Sequence, residues 1–111
     1  GVKVLSVRTS AGNPEAMREM GDYLKARLES MVLVMGGIVE GRPTLVAMIT
    51  DDLVGRGLHA GNIVKEAAQL MGGGGGGRPN MAQAGGRDAD KLEDAVQAAV
   101  DTLAQQAGTS K

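Results

Sequence analysis

The 111 residues suit one domain, 1–111, long enough to bury a hydrophobic core without disulfides or metal. Apolar residues at 42% and charged residues at 23% are ordinary globular composition, and a net charge of −1 excludes a strongly basic chain, so any nucleic-acid contact must use a local patch. The absence of cysteine excludes a disulfide framework and thiolate chemistry and suits a cytoplasmic protein, and no apolar run approaches the ~20 residues of a membrane helix.

The chain begins Gly1-Val2 and runs at once into a strand pattern, Val2 to Val7, which reads as a piece of a longer protein. Asn13-Pro14-Glu15 is a helix start signal: an N-cap side chain, proline at the first helical position and an acid in the first turn. Met17, Met20, Leu24 and Leu28 then give one apolar stripe, and this helix is expected to end near Ser30. Tyr23 is the only aromatic residue, so the core must be built from Val, Leu, Ile, Ala and seven Met.

Met31 to Met35 is apolar at every position and reads as a strand covered on both faces. Gly36 to Pro43 is expected to break it. Thr44 to Thr50 restores a buried strand, paired antiparallel through a turn at Glu40-Gly41. Asp51-Asp52 reads as a helix-flanking turn. A loop at Gly55-Arg56-Gly57 leads to a second helix, about His59 to Met71, with the first following glycine as its C-terminal cap. Asn80 to Ala84 reads as a short strand. Asp90-Lys91-Leu92-Glu93 resembles a capping box opening a third helix, with Leu92, Val96, Ala99, Val100 and Leu103 as its stripe. The last four residues read as a frayed end. The order is β-α-β-β-α-β-α, a mixed sheet of about four strands with helices, in the α/β class or, alternatively, α+β.

Gly72 to Gly77 are six consecutive glycines between the second helix and the last strand. Such a run suits a flexible linker. However, it contains no Ser, Thr or charge, and the strand and helix beyond it are too little to bury a core alone. It therefore lies inside one folding unit, where glycine is entropically costly to order. The physical reason to keep it is access: bare backbone can present N–H groups to an anion or let a bulky surface come close. Arg78 follows as a forked donor suited to phosphate. The Walker loop needs Gly-Lys-Ser/Thr after its glycines, and the Rossmann fingerprint needs a strand before them. Neither order is found.

The stretch GLHAGNIVKEAAQLMGGGGGGRPNMAQAGGRDADKLEDAV, Gly57 to Val96, is similar to the C-terminal domain of bacterial alanyl-tRNA synthetases, the DHHA1 domain family. The resemblance is carried by Gly57-Leu58-His59-Ala60-Gly61, by Val64-Lys65-Glu66, by Gly77-Arg78-Pro79 and by Met81 to Gly86. It implies a domain that touches the elbow of tRNA(Ala) and helps couple aminoacylation and editing. It implies no cofactor for this domain, while the parent ligase uses ATP, Mg and Zn in other domains. Its partners would be tRNA and the other synthetase domains, with no membrane; dimerisation is possible, although the helical segment that supports it in the family is not expected within this sequence. DHH-type phosphoesterases use the same fold, with a glycine motif ending in His that binds phosphate. Arg78 and Pro79 stand after the glycines here, which favours the synthetase branch. A protein-interaction module is the remaining alternative.

With one aromatic residue the chain has no base-stacking platform, so it would recognise folded RNA by shape and backbone. From Leu53 to Arg87, Arg56, Lys65, Arg78 and Arg87 face one carboxylate, Glu66, a local net charge of +3. The acids collect in Glu15 to Glu29 and Asp88 to Asp101. Candidate RNA-binding residues are Gly73, Gly74, Gly75, Gly76, Gly77, Arg78, Gln83 and Arg87, with Lys65 and Arg56 beside them. No catalytic residue and no metal ligand is expected: His59, the only histidine, reads as a capping or surface residue.

Overall fold

A computed structural model describes residues 4–9, 14–27 and 30–107. The readings at Val2-Lys3, at the Asn13 cap, at Leu28 and at the frayed C-terminus lie outside these residues.

The elements run β1 (Val4–Thr9), α1 (Pro14–Arg27), β2 (Val32–Val39), β3 (Arg42–Ile49), the short α2 (Asp51–Val54), α3 (Ala60–Leu70), β4 (Gly74–Gly77), β5 (Met81–Gly85) and α4 (Leu92–Ala107). The five strands form one sheet in the order β1-β2-β3-β5-β4. β1 pairs with β2 in parallel and the other three pairs are antiparallel, so the sheet is mixed. The α/β reading holds, with corrections. There are five strands, not four, because the glycine run is itself the edge strand β4 rather than a loop. The break expected over Gly36 to Pro43 shrinks to the turn at Glu40-Gly41: β2 continues to Val39 and β3 begins at Arg42, because Gly36, Gly37, Ile38 and Val39 stay in register with Leu45, Thr44, Pro43 and Arg42. Asp51-Asp52, read as a helix-flanking turn, form the first turn of the short α2.

Period-two alternation sorts the sheet residues between two cores. Val32, Val34, Leu45, Ala47 and Ile49, with Ala82 and Ala84 of β5, face α3 and α4 and bury Ile63, Val64, Ala67, Val96 and Leu103. Leu33, Met35, Val46 and Met48 face the other side, where Met17 of α1 is fully buried. Met20, on the same stripe by sequence, is exposed. α1 settles onto β3 at Gly21, where a side chain would strike the end of Met48.

Two turns set the outline. Glu40 and Gly41 both take left-handed backbone (φ 53° and 80°), joining β2 and β3 by the two-residue hairpin their sequence suggests. α4 is preceded by a 3-10 turn at Ala89–Lys91, in which the Lys91 N–H donates to the Asp88 carbonyl. The cap therefore lies earlier than the Asp90 box suggests, since Met71 anchors Arg87 and Asp88 through its carbonyl and fixes where the chain can start to coil. Ala95 takes the buried place on α4 that the stripe gives to Val100.

Candidate nucleic-acid interface

The glycine run is held at both ends. α3 starts at His59, whose Nδ1 accepts from the Asn62 N–H at 3.2 Å. Just past its C-cap Met71, Gly72 turns the chain away with a φ of 73°, left-handed backbone that a side chain would strain. The Gly73 N–H then donates to the Ala68 carbonyl, and the Met71 carbonyl accepts from both Arg87 and Asp88. At the far end the Arg78 N–H donates to Met81, Ala60 donates to the Pro79 carbonyl at 2.8 Å, and Ile49 donates to Asn80 at 2.9 Å. Turn, helix and sheet thus clamp the segment between them.

The two faces of β4 differ. On the inner face, a Cβ on Gly75 would overlap Ala84, and one on Gly77 would sit 2.8 Å from the Ala82 Cα. A side chain on Gly73 would strike the Gly85 carbonyl. On the outer face, Gly74 and Gly76 have nothing within 4 Å of where a Cβ would stand. Gly74 pairs with Gly85 and Gly76 with Gln83, and Gly85 has only the Pro43 carbonyl near its Cβ position. The outer surface of β4 is therefore bare backbone, continued on β5 by Gly85, with Gln83 and Met81 as the β5 side chains beside it.

Arginines bound this surface. Arg87, exposed, lines a groove with Arg42, Thr44, Gly73, Gly85 and Gly86. Arg78, exposed, lines a second groove at the other end with Gly76, Gly77, Met81 and Gln83. Arg42 was not among the residues the sequence points to; its only signal is that β3 begins beside the hairpin, in reach of a β5 partner. Arg78 also borders a groove with Glu15, Glu19 and Asp22 of α1, so acids separated from it by more than fifty residues come near in space. Lys65 lies elsewhere, between α3 and α4, in a groove with Asn62, Glu66, Gln69, Thr102 and Gln105; Thr102 there donates to Glu66 at 2.9 Å. Arg56 sits in the turn after α2 and lines neither groove beside β4.

Gln83 is the one polar side chain of β5. Its Oε1 is buried and has no hydrogen-bond partner among the described residues, an arrangement that costs about 1–3 kcal/mol when nothing satisfies it. Among the described residues, no three His, Asp or Glu side chains come together to hold a metal ion, and no helix is long and apolar enough to cross a membrane.

Residues 1–105 match the sequence profile of the DHHA1 domain. The chain belongs to the DHHA1 domain family. Its relatives are alanine–tRNA ligases: it is 51% identical over 98 residues to that of Dehalococcoides mccartyi strain BAV1, covering 88% of this chain and 11% of the relative. It is 51% identical over 108 residues to that of Chloroflexus aurantiacus, covering 97% and 12%. The chain thus spans about a ninth of the length of these relatives. The fold is that of the C-Ala domain of Aquifex aeolicus alanyl-tRNA synthetase, with a TM-score of 0.80 at 24% identity over 93% of this chain and 95% of that one. The DHHA1 fold also appears, at a TM-score of 0.55 and 17% identity over 77% of this chain and 20% of the other, in a DHH-domain protein from a family of ribosomal proteins.

Proposed function

We propose that this DHHA1 domain is the tRNA-binding C-terminal module of an alanine–tRNA ligase, contacting the elbow of tRNA(Ala) and helping aminoacylation and editing act on one tRNA. It has no catalytic residues and no cofactor of its own; ATP and metal ions serve other domains of the parent, in the cytoplasm. The observation that carries this reading is the bare outer face of Gly74, Gly76 and Gly85 with Arg78 at one end and Arg87 with Arg42 at the other. Flat backbone admits a ribose or base face without side-chain collision, and guanidinium groups supply the phosphate contacts that fix register. The relatives, about 50% identical over most of the chain, support its place in an alanine–tRNA ligase.

The test is binding of the chain to a tRNA(Ala) transcript and to a minihelix that lacks the D- and T-loop corner, over a range of salt. The reading expects the full transcript to bind more tightly and the affinity to fall steeply with salt. Equal affinity for the minihelix would remove the elbow from the account.

A further inference from the structure

On the sheet face that packs against α1, the row of Met35 and Val46 is apolar until Gln83 breaks it. Register places Met35, Val46, Gln83 and Gly76 side by side across β2, β3, β5 and β4. Met35 and Val46 are fully buried in that core, and Met81, two residues before Gln83 on the same face, packs against it. A methionine or leucine at position 83 would extend the row and leave no polar atom behind. The chain instead places a carboxamide there, with Oε1 buried and without a donor among the described residues. The same side chain lines the groove beside Gly76, Gly77 and Arg78, directly opposite a glycine whose outer side is open.

We propose that Gln83 is a specificity residue that hydrogen-bonds a ribose 2′-hydroxyl of the bound RNA, so that this domain prefers RNA to its 2′-deoxy counterpart. The proposal rests on the RNA-binding reading of the β4–β5 surface. The open Gly76 lets the sugar reach the floor of the groove, and Arg78 beside it takes the adjoining phosphate as a fork. Rotation about the staggered side-chain torsions of glutamine swings the whole carboxamide toward the opening, where Oε1 meets a donor from the ligand. A 2′-hydroxyl both donates and accepts, so it satisfies either end of the carboxamide, and it is the group that separates RNA from DNA at a given site. The donor missing from the fold is thereby supplied by the ligand.

The experiment is a scan of single 2′-deoxy nucleotides across the corner of a tRNA(Ala) transcript, titrated with the wild-type chain and with Gln83→Met. The wild type is expected to lose about three- to tenfold in affinity at one or two positions, the range of one ordinary hydrogen bond. Gln83→Met binds the all-ribose transcript about as weakly as the wild type binds the deoxy one, and it shows no further loss at the same positions. Its melting temperature stays level or rises, because the row becomes apolar. Gln83→Ala, which needs no extra room, is expected to show the same loss of discrimination. If both variants keep the wild-type pattern of deoxy penalties, the proposal is overturned while RNA binding at this surface stands. If the wild type binds without regard to the corner of the tRNA, the RNA-binding reading fails and takes this inference with it.

Discussion

Gly75 and Ala84 are register partners on β4 and β5, and they stand so close that a methyl group on Gly75 would overlap the Ala84 Cβ and lie 2.6 Å from the Gln83 carbonyl oxygen. One residue to either side, at Gly74 and Gly76, the same substitution meets open space. Gly73 to Gly77 therefore do two jobs in alternation, while Gly72 closes α3. One set lets the ribbon press onto β5, and the other keeps its outer face bare.

Gly75→Ala is expected to destabilise the chain by about 1–3 kcal/mol, the usual range for forcing extra volume into a packed site. Gly74→Ala should change stability by no more than about 0.5 kcal/mol, as at an unconstrained surface position. Urea or thermal melts of the two variants measure the difference. Equal effects would mean that the ribbon does not lie against β5 as described.

Gly61 on α3 extends this packing. A Cβ there would stand 2.8 Å from the Gly77 carbonyl oxygen, a backbone atom that cannot turn aside. Gly61→Ala should push α3 from β4, lower the melting temperature and weaken RNA binding together, although residue 61 is buried and lines neither groove beside β4.

Arg78→Ala should weaken tRNA binding and reduce the dependence of log K on log salt by about 0.7–0.9 for each phosphate that the variant no longer neutralises. Arg87→Ala should act in the same way from the other end of the ribbon. Lys65→Ala should change the slope less than either, because Lys65 lies in the separate α3–α4 groove. Salt titrations of the three variants decide the ranking.

Arg8 on β1 donates to both oxygens of Glu93 on α4, at 2.7 and 2.6 Å. These hydrogen bonds, followed by charge attraction, hold the Glu93 carboxyl below its ordinary value of 4.5. A folded-state value lower than the unfolded one stabilises the fold above the unfolded value, and that contribution is lost as the pH falls through the folded one. The melting temperature of the wild type should therefore exceed that of Glu93→Gln slightly at neutral pH. The gap should shrink with salt, since the pair is exposed, and close in acid. A gap that grew on acidification would contradict the pairing.

Much of this fold was legible because apolar periodicity and turn chemistry are local. Met31 to Met35 and Thr44 to Thr50 have enough β-branched and long apolar residues to mark buried strands, and Glu40-Gly41 marks the hairpin between them. The fifth strand was not legible, because Gly74 to Gly77 have no side chains to alternate; their strand character comes entirely from pairing with β5. Gly36-Gly37 misled for the same reason, since register with β3, not propensity, keeps that stretch extended. At the site, Arg78, Arg87, Gln83 and the glycines could be singled out from a run of neighbours in sequence. Arg42 could not, since only the hairpin return of β3 brings it to the groove of Arg87. Local charge groups Lys65 and Arg56 with them, but helix phase and the turn after α2 carry them away.

The most direct test of the central claim is the tRNA(Ala) affinity of a Gly74→Leu/Gly76→Leu double variant. Both positions face open space and neither has left-handed backbone, so the fold should melt as the wild type does. If the outer face of the ribbon receives RNA, two leucines standing on it should cut affinity by about tenfold or more, the equivalent of ~1.4 kcal/mol. An unchanged affinity, in a variant with an unchanged melting temperature, would contradict the account.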